Sequence, residues 1–289
     1  YDSRTARKIL ESVDLSQVVR VTPGKAKSYP ATLLLPTDRW AEQLAGGTWA
    51  ELFDRDGLLN KYPLLGLVVW YLVISLLGWV NYPLVRLALR GLPDKGFPLT
   101  KIAGMMLLAW IVWVAGSARV PFVPLTISVA ALLLLLINAG LAWMQRDELR
   151  HELREKKRYF FWVELIGLIL FVIFLLVRLG NPDLWHPWKG GEKPMDFSYF
   201  NAVLKSTTFP PYDPWFAGGY LNYYYYGFVV AGVPVKWLGI VPAVAYNLIL
   251  PTFFSLVGLG AYSVAWNLIS AGRTAPVEGE EKPAPPFLV

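Results

Sequence analysis

The sequence predicts an all-α fold: a polytopic transmembrane helix bundle of about six spans with a folded extracytoplasmic loop. Three observations carry that expectation. Hydrophobic residues make up 55% of the 289, which is more than a soluble domain needs. Apolar runs recur at the roughly 20-residue length that a helix requires to cross a hydrocarbon core. One short segment between two such runs, "MQRDELRHELREKKRY", gathers Arg146, Arg150, Arg154, Lys156, Lys157 and Arg158, as loops retained in the cytoplasm do.

Residues 1–61 are mixed and polar, with helical patterns in "SRTARKILESV" and "TDRWAEQLAGG". Thr37 or Asp38 suits the cap of the second, and Gly46 with Gly47 suits its end. Trp40, Leu44, Trp49, Leu52 and Phe53 fit either a segment lying along the headgroups or a small folded linker domain. Residues 62–144 form a three-helix transmembrane region with apolar runs at Pro63–Leu87, Ile102–Ser117 and Val123–Trp143. The basic loop 145–158 follows. Residues 159–270 hold further runs at Tyr159–Leu179, Tyr224–Leu238 and Ala243–Leu268, with a long loop at 180–223. The second and fifth runs are short enough to be re-entrant. Residues 271–289 read as a Pro- and Glu-rich linker with a new apolar run starting, so the chain is expected to be a piece of a longer polypeptide.

With the basic loop in the cytoplasm of a multi-pass cell-membrane protein, loop 180–223, residues 1–61 and the tail all come out extracytoplasmic. The net charge of +6 then reflects orientation against anionic lipid. No basic stripe interleaved with stacking aromatics suggests a nucleic-acid partner. Cysteine is absent, which excludes disulfides, thiolate metal sites and thiol chemistry.

Ionisable residues inside spans mark ion or substrate paths, and here they are scarce. Glu164, Arg86 and Arg178 fall near span ends, while Asn81, Asn138, Asn247 and Asn267 suit helix-to-helix hydrogen bonds. Polar chemistry converges instead on loop 180–223, where His186, Lys189, Glu192, Lys193, Asp196, Lys205 and Asp213 mix with Trp185, Trp188, Trp215 and several tyrosines. So many aromatics gain nothing from water, which indicates a folded loop that encloses something. Phe197, Phe200 and Leu204 at helical spacing place a short helix from Asp196. Asp196 is then an N-cap or a catalytic carboxylate, and Lys193 beside the helix start would favour a phosphate. Pro194 argues against one helix running through both Glu192 and Asp196. His186, Glu192 and Asp196 are ligand types for a divalent ion, though their spacing matches no metal motif, so the cofactor stays open. "FPPYDPWFAGG" reads as a rigid turn with Asp213 as turn former, leading into "GGYLNYYYYG". If a helix runs through that tyrosine stretch, Tyr223 and Tyr224 share a face with Gly227 and point inward.

The segment "NPDLWHPWKGGEKPMDFSYFNAVLKSTTFPPYDPWFAGGYLNYYYYG" with "VPAVAYNLILPT", and more weakly "LLLPTDRW" and "AGGTWAELF", resembles the YYY family of uncharacterised multispanning membrane proteins. That family is distantly similar to the glycosyltransferase-C superfamily. The resemblance implies a catalytic acidic residue in the first extracytoplasmic loop of a module, matched here by Asp196 with Glu192 as runner-up. It implies a polyprenyl-phosphate-linked sugar as donor, with membrane lipid and the rest of the longer chain as partners. Substrate-binding residues would be Lys189, Lys193, His186, Tyr223, Tyr224, Trp215 and Lys205. A non-catalytic scaffold or partner-docking module and a lipid-linked-substrate transporter are the competing readings.

Overall fold

The computed structural model describes residues 41, 45–184, 191–215 and 219–274. The chain divides into two units, 1–41 and 42–289, and the second holds the helix bundle. Its described elements are helical, with one isolated bridge between Tyr212 and Tyr220. In order they are α1 (Trp49–Leu52), α2 (Leu58–Lys61), α3 (Pro63–Ala88), α4 (Thr100–Ser117), α5 (Pro124–Met144), α6 (Arg146–Glu155), α7 (Lys157–Gly180), α8 (Lys193–Lys205), α9 (Tyr225–Leu238) and α10 (Pro242–Thr274).

Local chemistry explains the boundaries. Thr48 and Glu51 form a reciprocal capping box at α1. Prolines at the first turns of α3 and α5 sit where a missing N–H costs nothing. Pro83, inside α3, interrupts the ladder, and α5 repairs it: Asn138 Oδ1 accepts from Leu84 N at 3.1 Å and Asn138 Nδ2 donates to Asn81 Oδ1 at 3.2 Å. Helices α3 and α4 approach closely at Gly78, where an added Cβ would lie 2.7 Å from Lys101 Cγ. Helices α7 and α10 pack lengthwise, and Ser255 Oγ donates to Gly167 O at 2.7 Å.

Among the described residues, five helical stretches are long and apolar enough to cross a membrane: Pro63–Ala88, Phe97–Ser117, Pro124–Met144, Lys157–Gly180 and Pro242–Gly272. The expected sixth, now α9, has 14 residues. At 1.5 Å per residue it spans about 21 Å, short of the ~30 Å hydrocarbon core. Its connections show that it leaves and returns on one side of the bundle. Before it, Phe122 N donates to Thr207 O (2.6 Å) and Phe209 N to Gly116 O (3.3 Å), at the α4–α5 turn. After it, Lys236 Nζ donates back to Ser206 O (2.8 Å), and Asn60, just ahead of α3, bonds Gly239 O and Val241 N (both 2.9 Å). Gly239 turns the chain into α10 with φ +65, a conformation open to glycine.

The polytopic all-α bundle stands, with the fifth run taking the re-entrant alternative, and the end of α10 moves with it. Asn247 in its second turn meets Arg178 at the end of α7, whereas Asn267 accepts from Asp94 N at 3.2 Å and the Trp266 ring lies tilted, 5.1 Å from that of Tyr159 at the start of α7. The C-terminal end of α10 therefore lies at the same end of the bundle as basic α6, opposite to the side expected from six spans. Helix α6 is held there by Arg86, which reaches Glu152 (2.7 Å), Glu148 (2.8 Å) and Gln145 (2.8 Å).

Candidate functional site

Helices α8 and α9 sit side by side at the other end. Phe200, Val203 and Leu204 of α8 are buried, and Gly232 of α9 lets them close in, since a Cβ there would be 3.3 Å from Leu204 Cδ2. Helix α8 starts earlier than its apolar spacing indicates. Pro194 occupies the first turn, where it is tolerated, and Asp196 N already donates to Glu192 O at 2.9 Å. Asp196 is thus inside the helix rather than its cap, and Glu192 takes the cap position without a side-chain bond. The two carboxylates stand one turn apart on one helix after all.

Between α4, α8, α9 and α10 lies a cavity of about 480 Å³, within the ~300–1,000 Å³ range of ligand pockets. Ile102 and Met106 line it from α4, Asp196 and Phe200 from α8, Tyr226, Phe228 and Ala231 from α9, and Tyr246, Ile249 and Phe253 from α10. The Tyr246 ring fixes one corner, edge-on to Phe197 (5.7 Å) and Phe200 (6.1 Å). Asp196 is the only charged residue in the described lining. Its carboxylate has no hydrogen bond or ion pair among the described residues. Burial, with a smaller push from the Glu192 charge, raises its proton affinity above the ordinary carboxylate range.

The other expected site residues disperse. Lys205 turns away, donating to Gly47 O at 3.2 Å, and burial lowers its pKa. Trp215 is 65% exposed, with Nε1 donating to Ser198 Oγ at 2.8 Å, while Asp213 Oδ1 accepts from Trp215 N at 2.8 Å in an Asx-type turn. Lys193 opens α8, half-buried, outside the cavity lining. His186 and Lys189 lie outside the described residues. Among the described residues no group of three potential metal ligands assembles.

The tyrosine run resolves differently from the helical-face expectation. Tyr224 adopts a left-handed φ of +45, so the helix begins only at Tyr225. Tyr223 and Tyr224 are 54% and 77% exposed, and Tyr224 reaches the cavity rim. The inward pair is Tyr225, whose hydroxyl accepts from Trp113 Nε1 at 2.9 Å, and Tyr226, edge-on to Trp113 at 5.5 Å. Gly227 faces open space, with nothing within 4 Å of an added Cβ.

Two buried lysines gave no signal in the sequence. Lys101 pairs with Glu164 at 2.6 Å between α4 and α7. Lys236, fully buried in α9, donates to Ser206 O and lies 4.1 Å from the Phe122 ring centre. Lys101 stands just ahead of the apolar run at Ile102–Ser117, where it reads as a loop charge, and Lys236 sits inside the run at Tyr224–Leu238, where a single Lys is easily discounted. The α4 and α10 cavity residues were equally silent, because only the fold brings them together.

The sequence profile of DUF2298, described as an uncharacterized membrane protein, matches residues 107–280, more than half of the chain. The chain belongs to DUF2298. The match takes in α5 to α10 and most of α4, so the DUF2298 region contains every described cavity residue except Ile102 and Met106. It agrees with the resemblance to an uncharacterised family of multi-pass membrane proteins and carries no activity with it. No curated protein matches, and no solved structure matches.

Proposed function

We propose that this DUF2298 protein is an integral-membrane glycosyltransferase that uses a polyprenyl-phosphate-linked sugar, with Asp196 as its base. The observation that carries the reading is the Asp196 carboxylate, without a partner among the described residues, set in an otherwise apolar cavity. The apolar walls offer the chain of a lipid acceptor a seat, and Asp196 offers a proton acceptor where that chain would end. As the acceptor oxygen bonds to the anomeric carbon, its proton passes to Asp196. The bond from that carbon to the carrier phosphate breaks, and its electron pair stays on the phosphate. A raised proton affinity suits a general base. Lys193, with His186 and Lys189 from the same loop, would meet the phosphate charge, and Tyr224 and Trp215 would offer ring faces to the sugar. Glu192 would keep the Asp196 proton affinity high, and Lys205 takes no part. We place this end of the bundle outside the cell, opposite basic α6.

One observation favours a second reading, a non-catalytic module that docks a lipid-bearing partner. Lys205, expected to bind substrate, is engaged by Gly47 O, and Arg178 at the end of α7 is engaged by Asn247. A transporter is supported less, because the Lys101–Glu164 and Arg86–Glu152 charges are paired.

Asp196→Asn in the full-length protein, supplied with a defined polyprenyl-phosphate sugar, should abolish transfer while the thermal transition is kept. Transfer that persists refutes Asp196 as base. Lipid binding without turnover in wild type favours the docking module.

A further inference from the structure

We infer that the ligand group seated at Asp196 is a protonated amine, carried on an apolar chain that fills the cavity. The lining holds one negative charge and no positive one among the described residues. Six aromatic rings surround the space: Phe200, Tyr224, Tyr226, Phe228, Tyr246 and Phe253. Ring faces attract cations, and the attraction strengthens where water is excluded. The Asp196 carboxylate is partly desolvated and has no hydrogen-bond partner among the described residues, so a ligand that brings an N–H and a positive charge relieves both deficits at once. Glu192, one turn earlier on α8, adds a second negative charge to the same approach; its influence on Asp196 is already felt in the raised proton affinity. A phosphate placed here would face the like charge of Asp196 and, in the described lining, no cation to offset it. The walls set the rest of the molecule: Ile102, Met106, Val230, Ile249 and Leu250 accept only an apolar chain.

The inference rests on the proposed function and deepens it: the acceptor is a lipid whose hydroxyl, beside its ammonium group, is the oxygen that bonds to the anomeric carbon, and the carrier phosphate stays outside the cavity. Its test is a binding measurement that needs no turnover, so it stands or falls separately from the transfer assay.

The full-length protein, reconstituted in nanodiscs of zwitterionic lipid, is titrated with dodecylamine, dodecanol and dodecyl phosphate. Wild type should bind the amine about tenfold more tightly than the alcohol, with the phosphate weakest. Asp196→Asn, which keeps the side-chain shape, should reduce the amine to the affinity of the alcohol. Equal binding of amine and alcohol to wild type overturns the inference, as does preference for the phosphate or an amine advantage that survives in Asp196→Asn. Gly227→Leu, which extends a side chain into the open space, should weaken all three probes alike. Unchanged binding to that variant would place the probes elsewhere and overturn the inference too.

Discussion

Replacing Arg86 with leucine should be the most destabilising single change at the basic end of the bundle. The Arg86 and Glu152 side chains are only 12% and 8% exposed and meet at 2.7 Å. Removing one partner of a buried pair costs ~3–5 kcal/mol, because the other charge is left unmatched. Lys156 remains 3.0 Å from Glu152, so the expected loss is at the lower end, about 3 kcal/mol. Glu148, 72% exposed, also bonds Arg86, but an exposed pair contributes only ~0–1 kcal/mol, and Glu148→Gln should cost no more. Arg86→Leu combined with Glu152→Leu should recover much of the loss, since no buried carboxylate is then stranded and Lys156 still donates to Pro93 O at 3.3 Å. The dependence on pH has a definite sign. Burial raises the Glu152 carboxyl, but hydrogen bonds from Arg86 and Lys156 outweigh it and hold the group below its ordinary 4.5. A carboxyl held down in the fold stabilises above the unfolded value and loses that contribution as pH falls through the folded one. The gap between wild type and Arg86→Leu should therefore narrow on acidification below 4.5. Reversible unfolding in mixed micelles, followed by circular dichroism, measures wild type and the three variants. A Glu148→Gln loss as large as that of Arg86→Leu, or a double variant no more stable than Arg86→Leu alone, would refute the reasoning.

Asp196→Asn should be at least as stable as wild type at neutral pH. A carboxyl whose proton affinity is raised by folding costs stability once ionised, and wild type should regain the difference as pH falls toward 3.8; a clear neutral-pH destabilisation would contradict the unpaired environment. The chain has no cysteine, so single cysteines introduced at Arg150 and Gly272 should react with an impermeant maleimide from one side of the membrane, and a cysteine at Tyr223 from the other. Opposite labelling of 150 and 272 would restore six crossings. Gly116→Ala would bring a Cβ within 2.5 Å of Phe209 Cδ2 and should cost ~1–3 kcal/mol through overpacking, read as a lowered Tm. Trp70→Phe removes the 2.9 Å bond to Thr252 Oγ1 at a fully buried site and should cost about 1–3 kcal/mol by leaving that hydroxyl short of its donor.

The helices that cross were legible because length and apolarity are local properties. Pro63–Ala88 and Pro124–Met144 match their sequence runs to within a residue. What failed was local in appearance but decided by tertiary contacts. Tyr224–Leu238 is apolar enough for a span, yet whether it crosses depends on bonds to Ser206 and Asn60, far away in sequence. The inward tyrosines were missed because the left-handed residue at Tyr224 shifts the start of the helix and turns Tyr225 and Tyr226 toward Trp113 instead. Asp196 stood out as a carboxylate in an aromatic loop, but its apolar surroundings come from α4 and α10, which no spacing rule connects to it.

The walls of the cavity are fastened to different neighbours. Asp196 rides on α8, which is locked to α9 through Gly232 and Lys236 and so to α4, whereas Tyr246 and Phe253 ride on α10, which lies along α7. The short turn at Gly239 joins α9 to α10. A small tilt of the α7–α10 pair against α4 would widen or narrow the gap before Asp196 without unwinding a helix. The cavity is in that sense an aperture, with its setting carried by the angle between two helical leaves.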